Sequence, residues 1–211
     1  MTQALGIKYV NNIGNIQPKL AIALLAAGEA SRFGSPKQLA HYQGQTLIER
    51  SITLFEAIDC ELFVITGAHH AVIYEHLSLA SKDHYVIFNQ NWQQGMSSSI
   101  KTAVNRCSEQ FAGIMFVTVD QIRITQEDIQ SLIDCWHADT SRIVCAQYAN
   151  HRGVPAIFPK PYFSKLRDLQ GDKGARNVIK TSSNVTAVAI SNAELDVDTV
   201  KQLNDQHRKD Q

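Results

Sequence analysis

The chain has 211 residues, 44% of them hydrophobic and 19% charged, and its 20 basic and 20 acidic residues leave a formal net charge of zero. That length suits one sizeable core, and the charge balance excludes a global bias toward nucleic acid or an anionic membrane surface. Cys60, Cys107, Cys135 and Cys145 lie far apart, which argues against a zinc site or a disulfide scaffold, and no apolar run has the length of a membrane span or a signal peptide, so a cytoplasmic protein is expected.

Residues 1–18 carry turn formers (Asn11, Asn12, Gly14, Pro18) and read as an extension to a single domain over 19–211. Leu20 to Leu25 is almost unbroken aliphatic sequence and predicts a short buried strand. The chain then enters Ala26-Ala27-Gly28, small residues that leave room for a ligand against the backbone. Gly28 and Gly34 permit dihedrals that aim consecutive N–H groups into one concavity, and Arg32 and Lys37 add positive charge beside it. Such a nest suits a polyphosphate, although the spacing is neither a P-loop nor a dinucleotide fingerprint. A solvated basic loop after a strand is the competing reading of the residues alone.

Thr46-Leu47-Ile48-Glu49 is a capping box, and Ile48, Ile52 and Phe55 extend a helix to about Ile58. Leu62–Ile65 predicts a strand, Val72–Leu79 a helix and Tyr85–Phe88 another strand. After a polar loop over Asn89–Gly95, one helix face is traced by Ile100, Ala103, Val104 and Cys107. Ile114–Val119 is the most continuously apolar strand and ends in Asp120. Thr125 and Asp128 cap a helix with the stripe Ile129, Leu132, Ile133 and Trp136, and Ile143–Ala146 gives a further strand. From Tyr148 the rhythm breaks, and Gly153-Val154-Pro155 and Gly171–Gly174 read as a loop-rich cover. Val185–Ile190 returns to the sheet, and a last helix begins near Thr199. This alternation predicts an α/β fold, a three-layer Rossmann-like domain with a mostly parallel sheet.

Ligands of open parallel sheets sit at the carboxyl ends of the strands, where both the glycine-rich loop and Asp120 fall. A carboxylate there, beside bound phosphates, suits Mg²⁺; from spacing alone, capping of the following turn is the stronger reading of Asp120. Asp198, just before Thr199, also reads as a helix N-cap. Gly95 with Ser97, Ser98 and Ser99 presents N–H and hydroxyl groups at a helix start. The eight histidines show no metal-ligand spacing.

The string Leu25-Ala26-Ala27-Gly28-x-x-Ser31-Arg32-Phe33-Gly34-x-Pro36-Lys37-Gln38-Leu39 resembles the signature loop of the MobA-like nucleotidyltransferases, nearest to the molybdenum cofactor cytidylyltransferases. Further blocks carry the likeness: Val117-Thr118-Val119-Asp120-Gln121, Asn89-x-x-Trp92-x-x-Gly95-Met96-Ser97-Ser98-Ser99, Arg152-Gly153-Val154-Pro155, Gly171-Asp172-Lys173-Gly174-Ala175-Arg176 and Asp196-Val197-Asp198-Thr199. The resemblance implies a nucleotide-diphospho-sugar transferase-like fold. It also implies transfer of a nucleoside monophosphate from an NTP, CTP first, to a phosphorylated acceptor, molybdopterin first, with release of pyrophosphate. Lys37, Arg32 and Asp120 would be catalytic, and Asp120 and Asp198 would hold Mg²⁺. Ala26, Ala27, Gly28, Ser31, Gly34, Gly95, Ser97 and Ser98 would bind the nucleotide. Arg152, Gly153, Asp172, Lys173 and Arg176 would bind the acceptor. A molybdoenzyme or its maturation factor is the implied protein partner, with neither nucleic acid nor membrane. Ile122 stands where the family has proline, Val154 where it has histidine, and Thr199 is followed by Val200-Lys201-Gln202 in place of Pro-Glu-Asp. These departures keep two alternatives: the same chemistry on a sugar phosphate or other phosphorylated alcohol, or a non-catalytic accessory protein that binds nucleotide or molybdopterin.

Overall fold

The computed structural model describes residues 18–79 and 84–210, so the extension expected before Lys19 lies outside the described residues except for Pro18. Leu20–Ala26 form β1, buried along its whole length. Its side chains alternate between two faces, as the pleat requires. Leu20, Ile22, Leu24 and Ala26 belong to one apolar cluster, and Ala21, Ala23 and Leu25 to another on the opposite side.

The remaining strands are β2 (His41–Tyr42), β3 (Gln45–Thr46), β4 (Glu61–Thr66), β5 (His84–Phe88), β6 (Gly113–Thr118), β7 (Ile143–Tyr148), β8 (His151–Pro159) and β9 (Val185–Ala189). The helices are α1 (Leu47–Thr53), α2 (His70–Ser78), α3 (Met96–Cys107), α4 (Gln126–Ala138), α5 (Phe163–Arg167), α6 (Arg176–Thr181) and α7 (Val200–Lys209). A seven-stranded sheet runs β5-β4-β1-β6-β8-β7-β9, while β2 and β3 form a small hairpin. All neighbours in the large sheet are parallel except β8, which is antiparallel to both β6 and β7. Helices α1, α2 and α4 cover one face and α3, α5 and α6 the other. The result is the expected three-layer α/β arrangement.

Two sequence expectations change. The capping box at Thr46 and Glu49 forms, but α1 ends at Thr53 rather than near Ile58. Beyond it the chain tightens to i→i+3 bonds, Phe55 N–H to the Ile52 carbonyl and Ile58 N–H to Phe55, each 3.0 Å. These turns keep Phe55 and Ile58 against the core, so the apolar spacing persists after the helix has stopped. The cover expected from Tyr148 onward instead contains β8, a nine-residue strand inside the sheet. Ala146 pairs with Gly153 and Cys145 with Ala156, so Val154 and Pro155 are squeezed out as a bulge. Proline, lacking a backbone donor, is tolerated in a sheet at such a bulge. Among the described residues no helix is long and apolar enough to cross a membrane.

Candidate active site

The glycine-rich loop leaves the carboxyl end of β1 and is stapled by Gln38, whose buried amide Nε2 donates to the carbonyls of Ala26 and Gly28, both at 2.9 Å. From the turn between β4 and α2, Ala68 N–H donates to the Ala27 carbonyl at 3.1 Å, and His69 Nε2 lies 2.9 Å from the Glu29 carbonyl. The positive φ angles in the loop fall at Ala30 (54°) and Gly34 (78°). Gly28, expected to adopt such a conformation, does not. It contributes empty space instead, because a Cβ there would have nothing within 4 Å.

Among the described residues Lys37 is the one lysine or arginine that is buried. Its side chain is only 11% exposed, and Nζ lies 2.9 Å from Asp120 Oδ2 and 3.4 Å from Asp198 Oδ1. Arg32 remains on the rim and reaches Asp198 Oδ2 at 3.1 Å. Asp120 and Asp198 therefore meet around an ammonium beside the loop, and the capping alternatives fall away. Thr199, not Asp198, is the N-cap of α7, accepting from Gln202 N–H, while the Gln202 side chain accepts from the N–H groups of Asp198 and Thr199. That arrangement leaves the Asp198 carboxylate to its cationic partners.

A small third core holds these pieces together: Phe33, Tyr42, Leu47, Ile122, Val197 and Leu203. Ile122, the residue in the proline position, is buried here, and its carbonyl accepts from Arg50 Nε at 2.9 Å. Gln121 is also buried, donating from Nε2 to Val154 O (3.0 Å) and Ala193 O (2.9 Å), which ties the Asp120 loop to the β8 bulge.

Asp196, not singled out beforehand as a site residue, joins the carboxylates. Burial, with the charges of Asp120 and Asp198 adding, pushes its carboxyl up to about 6, while Lys37 and Arg176 act in the opposite direction. Half-buried Tyr148 faces the same group, its phenol raised by burial and then by Asp196. Crowding of like charge is what a hard cation relieves. Among the described residues no group of three or more His, Cys, Asp or Glu forms a ready-made metal cage. A pair of carboxylates beside a glycine-rich loop is nonetheless a donor set that fits Mg²⁺, which keeps waters and phosphate oxygens among its ligands.

The loop opens into a cleft of about 400 Å³. Ala26, Ala27, Gly28, Lys37 and Asp120 form its wall together with Trp92, Gln93, Gly95, Met96, Ser99 and Asp172. Gly67 forms a support behind that wall: a Cβ there would fall 2.5 Å from Ala27 O and 2.6 Å from Trp92 Cβ. Ser97 and Ser98 are buried beside the cleft, not in its lining; Ser98 Oγ receives Asn89 Nδ2 at 2.7 Å and donates to the Gly95 carbonyl. Ser31, Arg32 and Gly34 lie on the outer turn of the loop, also outside the lining. Of the expected acceptor group only Asp172 lines the cleft; exposed Arg152, half way to the bulge on β8, exposed Lys173 and exposed Arg176, at the start of α6, do not, nor does Gly153. The charge of Arg176 is nevertheless felt at Asp196. Gln38, Gly67, Trp92 and Asp196 were not among the expected site residues. Gln38 and Trp92 stand inside the blocks that carry the resemblance and Asp196 two residues before Asp198, whereas Gly67 had no such signal.

Comparison with known proteins bears on the fold and the family. A probable molybdenum cofactor guanylyltransferase of Rhodopirellula baltica is 30% identical over 135 residues, a match that takes in 62% of each chain and so less than two thirds of that relative. Rv0371c of Mycobacterium tuberculosis H37Rv superposes with a TM-score of 0.75 at 24% identity, covering 90% of this chain and 98% of that one. Its homolog from Mycobacterium sp. strain JC1 gives a TM-score of 0.75 at 27% identity, covering 90% and 96%. The MobA-like NTP transferase domain matches residues 22–187, from β1 to β9 and through every strand of the large sheet, and the chain belongs to that family.

Proposed function

We propose that the chain is an enzyme that moves a nucleoside monophosphate from a nucleoside triphosphate to a phosphorylated acceptor and releases pyrophosphate. One observation carries this reading: Lys37 Nζ sits between Asp120 and Asp198 at the mouth of a glycine-loop cleft. An oxygen of the acceptor phosphate attacks the α-phosphorus in line, a new P–O bond forms, and the bond to the bridging oxygen of the β-phosphate breaks. The nucleophile is already ionised at neutral pH, so no side chain has to remove a proton. Backbone around Ala26–Gly34 cradles the phosphates, and Lys37 and Arg32 take up the negative charge that grows on the departing pyrophosphate. Asp120 and Asp198 would hold Mg²⁺, which supplies charge neutralisation on the triphosphate when bound. Arg152, Lys173 and Arg176 offer cations to the acceptor's phosphate.

For the donor we propose CTP, supported by the likeness of Ala26-Ala27-Gly28 and the Asn89–Ser99 block to the cytidylyl branch. GTP is a second reading, favoured by the name of the Rhodopirellula relative. The same name supports a molybdopterin-type acceptor, and with it a molybdoenzyme or maturation factor as protein partner. Four free thiols accord with work in the cytoplasm. The test is to incubate the purified chain with Mg²⁺ and CTP or GTP, with and without molybdopterin. Acceptor-dependent pyrophosphate release supports the enzyme. Nucleotide bound without release under every condition overturns it in favour of a non-catalytic carrier.

A further inference from the structure

Four charged residues line the cleft: Lys37, Glu29, Asp120 and Asp172. Asp120 is neutralised by Lys37 at 2.9 Å, whereas Asp172 lies in another part of the lining with Gly95 against it. Asp172 is exposed, and among the described residues no hydrogen bond or ion pair engages its carboxylate. Its position is nevertheless fixed by the backbone. Gly95 has φ 89°, and a Cβ on it would collide with the Asp172 carboxylate and come within 2.8 Å of the Gly171 carbonyl carbon. Ser97 N–H donates to Gly171 O at 3.0 Å, and a Cβ on Gly174 would fall 2.7 Å from Met96 Sδ. The Gly171–Gly174 turn is thus pressed onto the start of α3, and only glycines permit the approach.

A nucleoside triphosphate carries all its negative charge at one end and the N–H donors of its base at the other. An unpaired carboxylate repels the phosphates and accepts from donors on a base edge. We infer that Asp172 is a specificity-determining residue that reads the exocyclic amino group of the donor's base. This rests on the reading of the cleft as a nucleotide site. A carboxylate can accept from N4 of cytosine, whereas O4 of uracil meets it with a lone pair; the 2-amino group of guanine and the 2-carbonyl of xanthine form the corresponding pair.

The experiment is calorimetric titration of the full chain with Mg²⁺ and CTP, UTP, GTP or xanthosine triphosphate, without acceptor. The parent chain should prefer the amino-bearing member of one pair by about tenfold or more. Asp172→Asn should bring that pair within about threefold, because an amide can turn either its N–H₂ or its carbonyl to the base. Asp172→Ala should weaken the preferred nucleotide and leave its carbonyl counterpart no weaker. A carboxylate that merely repels phosphate would move both members of a pair together. If both variants bind nucleotide with the parent's preference unchanged, the inference is overturned. If the parent binds no nucleotide at all, it is the nucleotide-site reading itself that fails.

Discussion

The backbone N–H of Val197 donates to the carbonyl of Asp120 at 3.0 Å. This bond sets the segment bearing Asp198 against the end of β6, and Val197 is fully buried in the third core beneath it. Two carboxylates far apart in the chain are thus placed by main-chain contact and packing, independently of their own charges. Asp120→Ala should therefore keep its fold, with a melting temperature within a few degrees of the parent. Its kcat for pyrophosphate release should fall by at least about a hundredfold, the scale on which loss of one charge-stabilising group is felt. Near-parental turnover would remove Asp120 from the reaction.

Gly67→Ala tests the wall of the cleft. The added methyl meets a backbone carbonyl and a Cβ, neither of which can swing aside. Overpacking of this kind costs about 1–3 kcal/mol. The displaced atoms belong to Ala27 and Trp92, so the KM for the nucleotide should rise as well. Thermal melting and steady-state kinetics read the two effects separately.

Ile122→Ala should separate stability from acceptor choice. The side chain is 3% exposed and packed in the third core. Its truncation should cost about 2–4 kcal/mol by cavity formation. The KM for the acceptor should remain within about twofold of the parent, since buried core contacts, unlike site contacts, act through stability. A large change in acceptor KM would show that this position selects the substrate after all.

The pH response of Asp196 has a definite sign. An unfolded aspartate ionises near about 3.9, and in the folded chain burial and its carboxylate neighbours raise it to about 6. The folded state holds the proton longer, so this group's contribution to stability is present below about pH 4 and is lost as pH rises through about 6. In metal-free buffer, Asp196→Asn should melt higher than the parent at pH 7.5 and level with it at pH 4. Because Asp196 is only partly desolvated and keeps contact with solvent, screening reduces the effect, and a gain of about 1–3 °C is expected. A variant that melts lower at pH 7.5 would contradict the assignment of crowded charge.

What the residues revealed in advance was whatever local pattern encodes. The aliphatic runs of β1 and β6 announce buried parallel strands, and Thr46-x-x-Glu49 and Thr125-x-x-Asp128 announce helix starts that form as capping boxes. β8 was hidden because its polar opening, His151-Arg152, and the bulge at Val154-Pro155 break every alternation that marks a strand. In the site, Lys37, Asp120 and Asp198 were legible as charges beside strand or helix ends. That Thr199 would take the cap and free Asp198 was not, because both residue types serve as caps. Gln38 and Gly67 act on backbone atoms brought close only by the folded sheet, and nothing in their immediate neighbours signals it.

The ion pairs of Lys37 have a consequence for how a ligand enters. At rest, one ammonium and one guanidinium stand against Asp120 and Asp198, so the resting mouth is close to electroneutral. A bare polyanion would have to strip Lys37 of its partners and leave two carboxylates facing its own phosphates. A polyanion that arrives already escorted by a doubly charged counter-ion lets Lys37 and Arg32 trade aspartate for phosphate while the aspartates gain a cation in exchange. Entry by swapping leaves no charge stranded at any stage, so on the proposed reading the escorted nucleotide is the form expected to enter.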